Sequence, residues 1–370
     1  MSQIRLPLGM RDLVFEEARK KRQLQERIET IFHSYGYQEV IAPTIEFLET
    51  YQKAFSSLKD QQMYKFFDAA GNTLALRMDM TVPIARICAS KYKDEEGPFR
   101  FCYCANVFKV RESFAGKRSE VTDCGVELIG LDEQSDLEVI SCALDTMKSF
   151  GIADYTLEIG NSSFFKKACI LLNLSNDVAE KLAQLVDQKS MVDLKEYLVS
   201  LDLSQKQEEF FLKLPLLNGK NVLKDALTIS FDDSLKAIVQ KLQDLKENLK
   251  ALGYEDNITF DLGKVPHLDY YTGILFEGYV HGVGTSVLSG GRYDHLLSIF
   301  GKDLPAVGFS IKLDYLLDVI DQKPEKILYL YYPVERQIEA FEKARELRKE
   351  QRVKLIPYNG ENIMIQEGTQ

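Results

Sequence analysis

Phe99-Arg-Phe-Cys-Tyr-Cys-Ala-Asn-Val-Phe-Lys109 most narrows what this chain can fold into, because aromatic and apolar residues recur along it in the manner of a strand. Met63-Tyr-Lys-Phe-Phe-Asp68 and Asn72-Thr-Leu-Ala-Leu-Arg77 precede it with the same character, and turn residues separate all three. These are the marks of antiparallel strands. Val121 to Gly130 and Tyr155 to Gly160 read as a further strand pair. No glycine-rich loop follows a strand into a helix, which disfavours a parallel nucleotide-binding fold. The order of runs predicts an α+β domain built around one antiparallel sheet.

Helices frame that sheet. Glu16 to His33 is charged and sets Leu24, Ile28, Ile31 and Phe32 at helical spacing. Ser34-Tyr-Gly36 then supplies a glycine suited to a C-terminal cap, before the strand-like Tyr37-Gln-Glu-Val-Ile-Ala-Pro43. From Ser162 to about Leu252 the chain turns to leucine-spaced helices rich in lysine and glutamate. There Ile238, Leu242, Leu245, Leu249 and Leu252 should bury one stripe of a helix. This stretch reads as a structural helical insertion. After Asp321-Gln-Lys-Pro324, Ile327 to Tyr332 reads as a strand, Glu335 to Gln351 as a helix and Val353 to Pro357 as a second strand, a single βαβ unit. The expected division is 1–161 with 253–322 as the sheet domain, 162–252 as the insertion and 323–370 as a short α/β segment.

The 45% hydrophobic content of the 370 residues suffices for a large core in two or three domains. A formal net charge of −10 gives a field that repels polyphosphate, so nucleic acid is a poor partner. Cys88, Cys102, Cys104, Cys124, Cys142 and Cys169 form no paired CxxC arrangement, and their apolar contexts suit reduced, buried thiols. His33, His267, His281 and His295 lack the spacing and carboxylate motif of a metal site. There is no Gly-x-Ser-x-Gly elbow and no Walker loop, and neither metal nor cofactor is expected. The start of the chain lacks an apolar stretch of signal-peptide length, and no segment has the apolar length of a membrane span; both point to the cytoplasm.

Four patches can carry chemistry. In Leu76-Arg-Met-Asp-Met-Thr81, Asp79 and Thr81 put a carboxylate and a hydroxyl two residues apart, able to point the same way and bind an ammonium group. The second patch runs from Val107-Phe-Lys-Val-Arg-Glu112 to Gly125-Val-Glu-Leu-Ile-Gly130. Leu268-Asp-Tyr-Tyr271-Thr-Gly and Ser289-Gly-Gly-Arg-Tyr293-Asp follow. Tyrosines bring a flat apolar wall with a hydroxyl at its tip, and paired glycines let the backbone come close to a ligand.

Together these patches resemble the catalytic core of histidyl-tRNA synthetases, class II enzymes, over Leu6 to about Leu317. The resemblance implies an antiparallel class II sheet flanked by helices. It implies a dimer interface at the helix and strand of Lys20 to Pro43, and a histidine site of Asp79, Thr81, Lys109, Asp123, Glu127, Leu268, Tyr270, Tyr271 and Tyr293. Within it, Asp79 would take the α-ammonium and Glu127 would hold the ring as a hydrogen-bond donor. Lys109 stands at the family's arginine that grips carboxylate and α-phosphate, and Asp123 at a glutamine that contacts the amino acid.

The departures fall on the nucleotide side. Pro266 and Tyr315 stand where the family has arginines, Arg111 stands at a nucleotide-facing glutamate, and Lys117 at a loop arginine. Adenylate formation moves charge along a triphosphate, which fixed guanidinium groups hold best. Histidine-facing residues kept, nucleotide-facing charges lost and a shortened anticodon-domain-like tail resemble the regulatory subunits of ATP phosphoribosyltransferase. That resemblance implies a chain without catalysis of its own, in the first step of histidine biosynthesis. It implies assembly with a short-form catalytic subunit as a homodimer within a hetero-oligomer, and histidine as effector. The rivals are a divergent active histidyl-tRNA synthetase and a synthetase-like sensor of RNA or amino acid. Pro266, Arg111 and Tyr315 weigh against the first, and the acidic balance with the short tail weighs against both.

Overall fold

The computed structural model describes residues 5–55, 63–110, 118–219, 221–265, 271–320 and 326–369. Its first helix, α1 (Phe15–Ser34), turns Leu24, Ile28 and Phe32 into the core. It closes where the Tyr37 N–H reaches the Phe32 carbonyl at 3.2 Å and Gly36 takes a φ of 82°, a conformation open to glycine without strain. The chain continues through β1 (Gln38–Glu39), β2 (Ile45–Phe47), α2 (Leu48–Ala54), β3 (Lys65–Phe67), β4 (Thr73–Leu76) and α3 (Thr81–Lys91). The long hairpin β5 (Phe99–Phe108) and β6 (Glu120–Ile129) comes next, then α4 (Asp136–Ser149) and β7 (Tyr155–Asn161). A helical run follows: α5 (Ser162–Leu171), α6 (Asn176–Asp187), α7 (Met191–Val199), α8 (Gln205–Lys213), α9 (Val222–Ile229) and α10 (Asp233–Ala251). Back in the sheet come β8 (Ile258–Phe260), β9 (Ile274–Val280), β10 (Leu288–Arg292), the short α11 (Leu296–Ile299) and β11 (Ala306–Lys312).

Eight of these strands form one sheet in the order β1-β5-β6-β11-β10-β9-β7-β8. Its interior is antiparallel, and the two outermost pairings, β1 with β5 and β7 with β8, are parallel. The runs 121–130 and 155–160 are both strands but not neighbours: β6 lies between β5 and β11, whereas β7 lies between β9 and β8. Strand pairing depends on contacts far apart in sequence, so adjacency in the chain misled here. Strand alternation sends Cys124, Val126 and Leu128 to the face covered by α1, α4 and the helical run, where Phe32, Phe164, Phe210 and Leu242 share one continuous core. Phe32 of α1 meets Phe309 of β11 edge-on at 5.7 Å. The opposite face carries Tyr103, Val121 and Ile129 under α2, α3 and α11. A small sheet, β2-β4-β3, stands beside it. Helix α10 buries Leu235, Val239, Leu242 and Leu249, while Leu252 caps its end and is exposed.

The chain divides into two compact units, Met1–Leu13 with Lys21–Ile320, and Val14–Lys20 with Asp321–Gln370. In the second, β12 (Lys326–Tyr332), α12 (Gln337–Leu347) and β13 (Val353–Pro357) make the expected βαβ unit. A further strand, β14 (Met364–Thr369), adds antiparallel to β12. Its exposed, weakly alternating sequence gave no strand signal. Cysteine chemistry also departs from expectation. Cys88, Cys102, Cys142 and Cys169 are free and buried, but Cys104 and Cys124 are disulfide-bonded. Register puts these two opposite each other on β5 and β6, which their separation along the chain does not reveal.

The arginine of Ser289-Gly-Gly-Arg-Tyr-Asp is a structural hub. Arg292 is only 1% exposed, and its guanidinium donates to Asp136 (2.6 and 2.9 Å), Asp294 (3.0 Å), Ser135 Oγ (3.1 Å) and the carbonyls of Leu131 and Asp132 (3.2 and 2.6 Å). It thereby ties the end of β10 to the loop that starts α4. Replacing it with Met keeps the apolar stem but leaves the Asp136 carboxylate buried without its cation, a loss of about 3–5 kcal/mol. Urea unfolding of Arg292→Met should show the midpoint falling accordingly with the slope unchanged.

Candidate functional site

Glu127 is the centre of the site. It sits in the middle of β6, paired to Phe101 of β5 on one side and Gly308 of β11 on the other, and is 2% exposed. An edge-strand surface charge is therefore ruled out for it. Its carboxylate lies across Gly308, where a Cβ would overlap it. Thr81 Oγ1, at the first position of α3, donates to Glu127 Oε1 at 2.8 Å, and the Tyr293 hydroxyl, just beyond β10, donates to Oε2. Burial pushes the Glu127 carboxyl up to about 8, Asp79 adds to the rise, and the two hydroxyl donors oppose it. In its ionised form, each oxygen keeps a lone pair for a ligand donor.

Around Glu127 is a cavity of about 220 Å³. Asp79, Thr81, Lys109, Asp123, Tyr271 and Tyr293 all line it, so the fold brings seven of the expected site residues together with Glu127 among them. Leu268 and Tyr270 lie outside the described residues, as do Pro266, Arg111 and Lys117. Asp79 Oδ1 accepts the Val82 N–H at 3.1 Å and so caps the first turn of α3, and burial raises its pKa against the pull of Lys109. The backbone of Tyr271 is fixed from the helical run. Lys166 Nζ and Ser162 Oγ donate to the Tyr271 carbonyl at 2.7 and 3.1 Å, and Ser163 Oγ to the Thr272 carbonyl at 2.7 Å. The start of α5 thus positions a wall of the pocket.

Other charges in the motifs turn out to hold the fold. Arg77 donates to the Asn106 and Ala42 carbonyls at 2.7 and 2.8 Å, and Arg86 to Glu46 at 2.6 Å. Tyr315 packs against the main core and does not line the cavity. Its neighbour Asp314 is 4% exposed and takes Lys21 of α1 (3.1 Å), Arg118 (3.4 Å) and the Thr122 N–H (2.6 Å). Sequence reasoning missed Lys312, Tyr103, Ser289 and Ser310 as lining residues. Period-two alternation was the available signal, since Gly308, Ser310 and Lys312 share a face of β11. Lys312 Nζ points along that face to Ser289 Oγ at 3.5 Å. Among the described residues no group of three or more His, Cys, Asp or Glu is arranged to hold a metal ion, and no helix is long and apolar enough to cross a membrane.

The site can therefore hold a small polar molecule with an aromatic donor ring against Glu127, flanked by carboxylates at Asp79 and Asp123 and by ammonium groups at Lys109 and Lys312. The family model described as histidyl-tRNA synthetase matches residues 9–316. An ATP phosphoribosyltransferase regulatory subunit of Caldanaerobacter subterraneus subsp. tengcongensis is 37% identical over 356 residues, 94% of this chain and 92% of its own. That of Ruminiclostridium cellulolyticum is 37% identical over 353 residues, 93% and 84% of the two chains. Among solved structures, a chain described as an ATP phosphoribosyltransferase regulatory subunit/histidyl-tRNA synthetase from Bacillus halodurans C matches with a TM-score of 0.86 and 32% identity, over 97% of this chain and 94% of its own. With the likeness running almost the full length of the chain, this protein belongs to the ATP phosphoribosyltransferase regulatory subunits, which share the class II fold of histidyl-tRNA synthetases.

Proposed function

We propose that this chain catalyses nothing alone, that a short-form ATP phosphoribosyltransferase catalytic subunit needs it for activity, and that it binds histidine for feedback inhibition of the first step of histidine biosynthesis. The observation that carries this reading is the buried Glu127 carboxylate, held by Thr81 and Tyr293 and lining a cavity of about 220 Å³. A carboxylate so held would set the orientation of a ring N–H, and the Asp79 carboxylate, which lines the same cavity, would take the α-ammonium. Removing the ring's partner leaves that N–H unpaired, which costs about 2 kcal/mol or more, roughly thirtyfold in affinity. Calorimetry on folded Glu127→Ala should show that loss. Inhibition of the assembled complex by histidine should weaken with it while uninhibited turnover stays near normal. Full inhibition of the mutant complex would move the sensor to the catalytic subunit.

An active synthetase is the competing reading, since the family model carries that description. The triphosphate-side positions speak against it: Tyr315 packs into the core, Pro266 stands where the family has an arginine, and Arg111 where it has a glutamate. Loss of one preorganised charged contact costs about 3 kcal/mol in the transition state, so two missing guanidiniums should abolish the reaction. Histidine-dependent pyrophosphate exchange by the purified chain is expected to stay at background, and turnover at a synthetase-like rate would reject the non-catalytic assignment.

For the homodimer expected at Lys20 to Pro43, the small sheet adds exposed apolar surface. Ile45 and Phe47 of β2 face Leu76 and Leu74 of β4, and Phe66 of β3 faces Leu74 from the other side, so one apolar face is presented outward. Ile45, Phe47 and Phe66 are 45%, 49% and 37% exposed, and Ile41 is 83% exposed. Contiguous apolar surface of this kind marks an interface, and isologous pairing covers it on two copies at once. Light scattering should give a dimer for the natural chain and a monomer for Ile41→Asp/Phe47→Asp.

A further inference from the structure

The second compact unit gathers cations for which histidine binding has no use. A groove of about 760 Å³ is lined there by Lys326, Arg348, Lys349, Arg352 and Lys354, against one carboxylate, Glu350, among the described residues. All five cations are exposed. Residues 321–370 balance Lys and Arg with Asp and Glu, so this segment carries none of the chain's net charge of −10, and the local excess is made by the fold. Lys326 opens β12, Lys354 is second in β13, and Arg348, Lys349 and Arg352 lie on the turn from α12 into β13. The Leu328 N–H donates to the Arg352 carbonyl at 2.9 Å, which fixes that turn against the start of β12. We infer that this groove binds an oligophosphate, as a free ion or as the tail of a nucleotide, at a site that shares no lining residue with the Glu127 cavity.

Folding accounts for part of the cluster only. Cations are favoured at a helix C-terminus, and α12 ends at Leu347. Arg348 donates to the Val353 carbonyl at 3.4 Å and Lys349 to Glu346 at 2.5 Å, so both serve that end. Lys326 and Lys354 come from strands, and the helix explains neither. Lys354 Nζ lies over the Tyr329 ring at 5.8 Å, which steadies its stem and leaves its ammonium donors for an acceptor. Like charges brought together repel, and an anion of high charge density removes that cost. Two guanidiniums, Arg348 and Arg352, add the planar forks that match phosphate oxygens, a type of group absent from the described lining of the Glu127 cavity. The acidic balance of the chain does not forbid such a ligand, because exposed charges farther off than about 8–10 Å are largely screened at ordinary ionic strength.

Calorimetry of the full chain with tripolyphosphate, pyrophosphate and phosphate tests the site. Affinity should fall in that order, at one site per chain, and weaken as salt rises to about 0.15 M. Lys326→Gln/Lys354→Gln removes two exposed cations, so the urea midpoint should hold while tripolyphosphate binds about tenfold or more weakly. Lys236→Gln/Lys241→Gln on α10 makes the same change in net charge outside the groove and should leave affinity within about twofold. ATP binding as tightly as tripolyphosphate, and lost in the same groove variant, assigns the tail of a nucleotide; weaker ATP assigns the free ion. No heat from tripolyphosphate at low salt overturns the inference, as does an equal loss in the α10 variant, or an RNA oligonucleotide that binds where tripolyphosphate does not. Histidine affinity should be the same in the groove variant and the natural chain, so failure here leaves the histidine reading standing.

Discussion

A carboxylate in the middle of an eight-stranded sheet is the constraint on which the site depends. Glu127 is buried on an interior strand, and two hydroxyls, of Thr81 and Tyr293, donate to it. Burying such a group is tolerable only with donors already in place. The surrounding elements supply them. Helix α3 has to begin at Thr81, β10 has to end just before Tyr293, and β11 has to carry a glycine beside Glu127. Thr81 is far in sequence from the other two, and Tyr293 and Gly308 come to Glu127 because β6, β11 and β10 are consecutive in the sheet.

The charged residues of the recognisable motifs divide by what they touch. Arg292 and Arg77 spend their donors on backbone carbonyls and internal carboxylates, and Asp314 gathers Lys21, Arg118 and a backbone N–H. They hold loops at fixed positions and do not line the cavity. Asp79, Lys109, Asp123, Glu127 and Lys312 do. A cavity whose cations are single lysines facing aspartates offers point charges already partly neutralised. Planar guanidinium forks, the usual grip on a moving triphosphate, are not among its lining in the described residues. Small-molecule recognition suits such a lining better than phosphoryl chemistry does, which is the physical sense in which a synthetase-like fold can serve regulation.

The helical run is more than a covering. Its residues join the sheet's own core, and its first turn holds the carbonyls of Tyr271 and Thr272 through Ser162, Ser163 and Lys166. Motion of α5 would therefore be felt at the wall of the cavity. A regulatory protein needs such a mechanical link between its ligand and its surface, since coupling requires contacts that differ between two states.

Much of this was legible in the residues. Alternation along 99–109 and 121–130 is a property of local chain geometry, so the strands and their antiparallel character could be read directly, as could the helix ending at Gly36, where only a residue without a side chain turns freely. Asp79, Thr81, Lys109, Asp123, Glu127, Tyr271 and Tyr293 were legible as a set because their motifs are specific. Register was not. That Cys104 faces Cys124, that β6 and β7 are separated, and that Lys312, Ser289 and Ser310 complete the cavity follow from which strands lie side by side, and those pairings join residues far apart in the chain. The sequence by itself determined the elements, their faces and the chemical types assembled at the site. Only the tertiary structure decided which of the charged residues point into the cavity and which hold the fold, because burial and hydrogen-bond partners are set by packing between segments and not by any local pattern.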